Sequence, residues 1–109
     1  MSDCIFCKIA AGEIPAKKIY EDDDVFAFHD IRPIAPVHFM IIPKRHVDSL
    51  AECGPEHAAV LGRVMLLVPQ LAAEQGLERG FKVGINTGPA GGQEVMHLHV
   101  HVFGHPARA

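Results

Sequence analysis

The sequence predicts an α+β fold: a five-stranded, mainly antiparallel sheet with one long helix and one short one. Three observations lead there. Short strand-like runs recur between clusters of turn-forming residues. One stretch, Leu61 to Ala72, instead repeats its apolar residues at three and four. That stretch interrupts a run of strands rather than alternating with them, which favours antiparallel pairing. At 109 residues the chain has room for one core, so residues 1–109 are read as a single domain.

The elements follow in order. Asp3 to Ala11 reads as a short helix, with Asp3 as N-cap and Gly12 as the stop. Lys18 to Glu21 and Val25 to His29 read as strands joined by the acidic turn Asp22-Asp23-Asp24. A third strand, His38 to Ile42, lies between Pro36 and Pro43. The long helix begins after Gly54-Pro55, with proline in its favoured first turn. Leu61, Val64, Met65, Val68, Leu71 and Ala72 form its apolar stripe. Pro69 should kink that helix or end its regular part, and Gly76 should terminate it. Phe81 to Asn86 reads as the fourth strand, and the glycine-rich loop Thr87 to Gly92 leads to a fifth, Val95 to Phe103.

Composition narrows the function. Apolar residues make up 49% and charged residues 21%, a globular balance. The net charge is −3 with no basic run, which argues against a broad nucleic-acid surface but leaves room for a nucleotide pocket. No apolar stretch approaches the roughly 20 residues that cross a bilayer. Met1-Ser2-Asp3-Cys4 lacks the pattern of a secretory signal, so a cytoplasmic protein with no membrane partner is expected. Of three cysteines, Cys4 and Cys7 form a C-x-x-C suited to metal or redox work, and Cys53 reads as an unrelated thiol.

The richest segment is His97-Leu98-His99-Val100-His101-Val102. In a strand all three imidazoles emerge on one face, and Leu98, Val100 and Val102 on the other. Satisfied core histidines would be the bland explanation, yet valine or threonine would serve there at lower cost, because a buried imidazole must find partners. Two chemistries suit the row: metal binding through His-x-His, or a neutral imidazole acting as nucleophile. Periodicity does not choose between them.

The segment Gly91-Gly92-Gln93-Glu94-Val95-Met96-His97-Leu98-His99-Val100-His101-Val102 resembles the signature of the histidine triad (HIT) superfamily. Upstream, Ile14-Pro15-Ala16-Lys17, Ala27-Phe28-His29-Asp30-Ile31, Ala35-Pro36-Val37-His38-Phe39 and Ile42-Pro43-Lys44-Arg45-His46 resemble its Hint branch in order and spacing, so the likeness spans residues 4 to 104.

The resemblance implies a homodimer in which two five-stranded sheets become continuous, with the helix around Leu61, Val64 and Met65 partly at the interface. It implies hydrolysis of purine nucleoside phosphoramidates and related adenylates, releasing AMP. His99 would attack the α-phosphorus and form a nucleotidyl-histidine. His101 would contact the phosphate and give a proton to the leaving group, and His97 would support, its ring fixed by carbonyls and His46. Asp30 would take the ribose hydroxyls and Asn86 would face the phosphate. Ile5, Phe6, Ile9, Ile14, Phe28 and Ile31 match walls of a base pocket. Relatives that hold zinc do so with residues matching Cys4, Cys7, His46 and His97, which makes a structural zinc ion the expected cofactor. The sequence departs from animal members at Glu94, where they have a phosphate-touching serine, at Met96, where they have an aromatic residue, and in its short tail from Gly104 to Ala109. Three alternatives are weighed: a dinucleoside polyphosphate hydrolase of the same superfamily, a nucleotide-binding signalling module with little turnover, and a hydrolase with zinc on the histidine row. The preferred reading expects the His99 ring to be bare at the mouth of the pocket.

Overall fold

The computed structural model describes residues 3–106. Its elements are helix α1 (Ile5–Ala10), strands β1 (Lys18–Glu21), β2 (Val25–His29) and β3 (Val37–Pro43), helix α2 (Ala58–Glu74), and strands β4 (Lys82–Gly84) and β5 (Val100–Gly104). The five strands form one sheet in the order β1-β2-β3-β5-β4, every neighbour antiparallel. The fold class expected from the sequence is therefore the one found.

Apolar side chains on both faces of β2 and β3 explain why these strands are central. Val25, Ala27, Phe39 and Ile41 point to one side with Val100 and Val102, and there they meet Val64, Leu67, Val68, Leu71 and Ala72 of α2. Phe26, Phe28, Met40 and Ile42 point to the other side and meet Phe6 and Ile9 of α1. The sheet is thus sandwiched between a long helix and a short one. Each Å² of apolar surface that these two clusters remove from water is worth roughly 25 cal/mol toward folding.

Local differences from expectation have local causes. The N-cap of α1 is Cys4, not Asp3: the Cys7 N–H donates to Cys4 Sγ at 3.3 Å. Pro69 does not end α2, which runs on to Glu74. Pro69 and Met65, whose carbonyl loses its partner, are both exposed, so water can replace the missing bond. The core stripe of α2 takes in Leu67 but not Met65, which is 44% exposed. Pro55 opens a short 3₁₀ turn, Pro55–His57, that feeds α2, and the His57 ring caps it by accepting the Gly54 N–H at 2.9 Å. Gly76, at φ +87°, adopts the left-handed conformation just past the end of the helix.

The acidic turn after β1 is a working joint. Asp22 accepts the N–H groups of Asp24 and Val25 on one oxygen, and Tyr20 Oη–H and the Arg63 guanidinium on the other. Partial burial opposes ionisation, but these donors outweigh it and hold the carboxyl well below the usual range. The turn thereby ties the β1–β2 hairpin to α2.

Strands β4 and β5 are shorter than expected. Val100 lies across from Ile41 at the start of the β3–β5 ladder, so residues 95–99 approach the sheet outside any strand. There the Leu98 N–H donates to the Val47 carbonyl, and the His97 N–H to the Val95 carbonyl. No helix among the described residues is long and apolar enough to cross a membrane.

Candidate active site and metal centre

His97 and His99 precede β5, and only His101 belongs to it, yet the alternation survives. Leu98, Val100 and Val102 are buried, while the three rings gather on the face covered by α1. Phe6 meets two of them edge-on, with ring centroids 6.0 Å from His97 and 5.1 Å from His99. His99 and His101 stand 4.9 Å apart.

Hydrogen bonds fix the state of each ring. His99 Nδ1 lies 2.7 Å from the His97 carbonyl oxygen. A carbonyl only accepts, so the proton sits on Nδ1 and the lone pair on Nε2. The ring is not bare as expected, since only 6% of the residue is exposed. However, Nε2 has no partner among the described residues, and no described side-chain nitrogen or oxygen is both sealed from solvent and unpartnered. The basic nitrogen therefore keeps an opening. One accessible lone pair is all that nucleophilic attack requires.

The neighbouring chain of bonds runs through His38, a residue outside the histidine row. His38 Nδ1 accepts the Ile34 N–H at 3.1 Å, so its proton is on Nε2. That proton points to His101 Nδ1 at 2.9 Å and to Asp30 Oδ2 at 3.4 Å. His101 in turn carries its own proton on Nε2. Burial, reinforced by repulsion from His99 and His38 when charged and opposed by Asp30, pushes His101 down to about 4, so the ring is neutral near pH 7. The strand register held the clue to His38: Met40 lies opposite His101, which puts His38 one diagonal step away on the same face.

Asp30 has one oxygen engaged by the Arg32 N–H and turns the other to this histidine pair, 3.9 Å from His101 Nδ1. Phe6, Ile9 and Phe28 are buried in one cluster with the half-buried Ile14 against it. Ile5, by contrast, is 46% exposed and Ile31 is 90% exposed, so neither joins that cluster. Asn86 is exposed in the loop after β4, its amide nitrogen close to Gly92.

At the other end of the row, Cys4, Cys7, His46 and His97 bring four ligand atoms within 4.8 Å of one another. His97 Nε2 donates to the Pro43 carbonyl at 2.8 Å and His46 Nε2 to Asp48 at 2.6 Å. Both rings thus turn the lone pair of Nδ1 toward the thiols, at 3.2 to 3.5 Å from sulfur. An S–N edge of a tetrahedral zinc site measures about 3.6 Å, and outer carbonyl and carboxylate acceptors are the usual support for metal-bound imidazoles. The residues fit zinc. Asp30, His38 and His101 are also close enough to share an ion. Their bonding speaks against it, because the lone pair of His38 is spent on the Ile34 N–H and its Nε2 is occupied by hydrogen.

Fold and site together define a class: an antiparallel α+β sheet whose working face is a row of imidazoles locked in chosen tautomers. The chain belongs to the HIT family, whose domain matches residues 11–107. It is 58% identical to the protein HitA of Neisseria gonorrhoeae over 97% of this chain and 99% of that one. A 14 kDa zinc-binding protein of Brassica juncea is 44% identical over 94% of this chain and 92% of its own length. A HIT family hydrolase from Legionella pneumophila superposes with a TM-score of 0.92 at 41% identity, covering 98% of this chain and 95% of that one.

Proposed function

We propose that this chain hydrolyses purine nucleoside phosphoramidates and related adenylates, releasing AMP through a nucleotidyl-histidine. The observation that carries the proposal is the 2.7 Å bond from His99 Nδ1–H to the His97 carbonyl, which leaves Nε2 as the ring's only basic atom. In the first step the Nε2 lone pair forms a bond to the α-phosphorus as the P–N bond to the amine breaks. His101 donates through Nε2–H to the phosphate. A bound phosphate anion raises the proton affinity of that ring, so His101 takes up a second proton with the substrate and passes one to the departing amine, with Asp30 Oδ2 placed to steady the ring while it is charged. In the second step His101 takes a proton back from the attacking water, oxygen bonds to phosphorus as the P–Nε2 bond breaks, and AMP leaves with both His99 and His101 restored. Asp30 and Asn86 serve ribose and phosphate, and Phe6, Ile9, Ile14 and Phe28 border the base, with Ile5 and Ile31 at its rim.

Cys4, Cys7, His46 and His97 would hold a zinc ion that cross-links α1 to the histidine row and takes no part in the reaction. A thiolate site of this kind suits the reducing cytoplasm. The short edge strand β4 leaves Phe81 and Val83 partly exposed, and α2 exposes Met65 and Leu66. These surfaces are where a second copy would extend the sheet into a homodimer.

The test is turnover of adenosine phosphoramidate by the wild type and by His99→Asn. The variant should lose at least about 10³-fold in kcat, in line with removal of a nucleophile, and still bind AMP. Undiminished turnover would overturn the proposal. Turnover that is abolished by chelation while the fold persists would instead favour a metal-borne mechanism.

A further inference from the structure

Gln93 is a buried amide, 5% exposed, that the mechanism above does not use. Its Oε1 accepts the Gly88 N–H at 2.8 Å, and its own backbone N–H donates to the Gly88 carbonyl at 3.0 Å. Its two amide hydrogens go to the carbonyls of Asp48 at 2.6 Å and Val95 at 2.9 Å. The orientation of the amide is therefore determined, because exchanging oxygen and nitrogen would set an N–H against an N–H and oxygen against two carbonyls.

Three segments meet at this side chain. The first is the glycine turn, where Gly88 and Gly92 hold φ of +73° and +87°. Half of the turn is glycine and its other side chains, Thr87, Pro89 and Ala90, are small, so its position depends largely on what grips its backbone. The second is the approach to the histidine row, since the Val95 carbonyl that Gln93 holds also accepts the His97 N–H at 2.8 Å. The third is the stretch after β3, where Asp48 supports the His46 ring.

We infer that Gln93 is a positioning residue for phosphoryl transfer, fixing where the glycine turn and the adjoining Asn86 stand relative to His99 without touching substrate. The inference rests on the hydrolase reading above. A displacement of about 1 Å in such a scaffold is enough to cost about 10²-fold in rate.

Two substitutions in the full chain test it, with steady-state hydrolysis of adenosine phosphoramidate, AMP binding by calorimetry and thermal melting. Gln93→Met keeps the shape and removes every side-chain bond. It should lower kcat by about 10- to 100-fold while KM and AMP affinity change little. Gln93→Glu retains the acceptor for Gly88, and only its protonated form can donate to one of the two carbonyls. Buried against those oxygens, the new carboxyl titrates above the usual range. The ratio of its kcat to that of the wild type at the same pH should approach one at low pH and fall toward the methionine value as pH rises, a step beyond any pH dependence of the wild type. A purely structural residue would lower the melting temperature and the active fraction without that step. If Gln93→Met fails to fold, the pH step in Gln93→Glu still decides. Wild-type kcat in both folded variants, or parallel losses of kcat and AMP affinity, overturns the inference alone. An inactive wild type removes the hydrolase reading along with it.

Discussion

At the His99 ring a carbonyl two residues back decides which nitrogen can react, and a second chain of bonds does the same for His101. The Ile34 N–H sets the tautomer of His38, and His38 sets that of His101. His38→Phe keeps a ring against Phe103, which lies 5.4 Å away between centroids, and breaks this chain. Its kcat should fall about 10²-fold with AMP affinity nearly unchanged, as read by steady-state kinetics and calorimetry; a wild-type kcat would show that the His101 tautomer does not matter. The row itself was legible in the sequence, because alternation at residues 97, 99 and 101 is a local pattern. His38 and Gln93 were not assigned roles, since one depends on strand register and the other on the Asp48 carbonyl, brought in from a distant segment to join two local groups at Gly88 and Val95. Burial of His99 is not legible in the sequence either, because it depends on α1, which brings Phe6 edge-on against the ring.

At the scale of elements, tertiary packing corrected the local rules. The strand-like run from Val95 to Phe103 pairs only from Val100, because its earlier part bonds to Val47 and to itself. The stripe on α2 is displaced by one neighbour, Leu67 entering the core where Met65 does not. Pro69 was expected to break or kink the helix, and the helix continues because its missing bond lies on the exposed side. Pro69→Ala should restore that bond and stabilise the protein by about 1–2 kcal/mol, the helix-interior penalty of proline less the entropy it removes from the unfolded chain. Thermal melting reads this as a rise of several degrees; a fall would mean that the proline ring makes a contact worth more than the bond it removes.

For the molecule as a whole, buried imidazoles make stability depend on pH. Burial first, then neighbouring charges, holds His101 at about 4, and burial likewise lowers His38 against the pull of Asp30. The unfolded chain takes up protons below about 6.5, whereas folded His101 does not until about pH 4. Stability contributed by keeping these rings neutral is complete above pH 6.5 and should drain away between about 6.5 and 4. Below that, protonation of Asp22, whose carboxyl is held down by its donors, extends the loss. Melting temperatures recorded with a chelator present throughout should be flat above neutrality and fall through this window; a curve that rises on acidification would contradict the assignment of neutral rings. The α+β class, the order of elements and the thiol–imidazole set could all be read from spacing and resemblance, while the pairing of these parts across the sheet needed the three-dimensional structure. The central claim is that Nε2 of His99 bonds to phosphorus, and rapid quenching during turnover followed by mass spectrometry tests it most directly. One acid-labile AMP should appear on the peptide containing His99 and vanish in His99→Asn. Turnover with no such adduct, or an adduct on a different residue, would contradict the account.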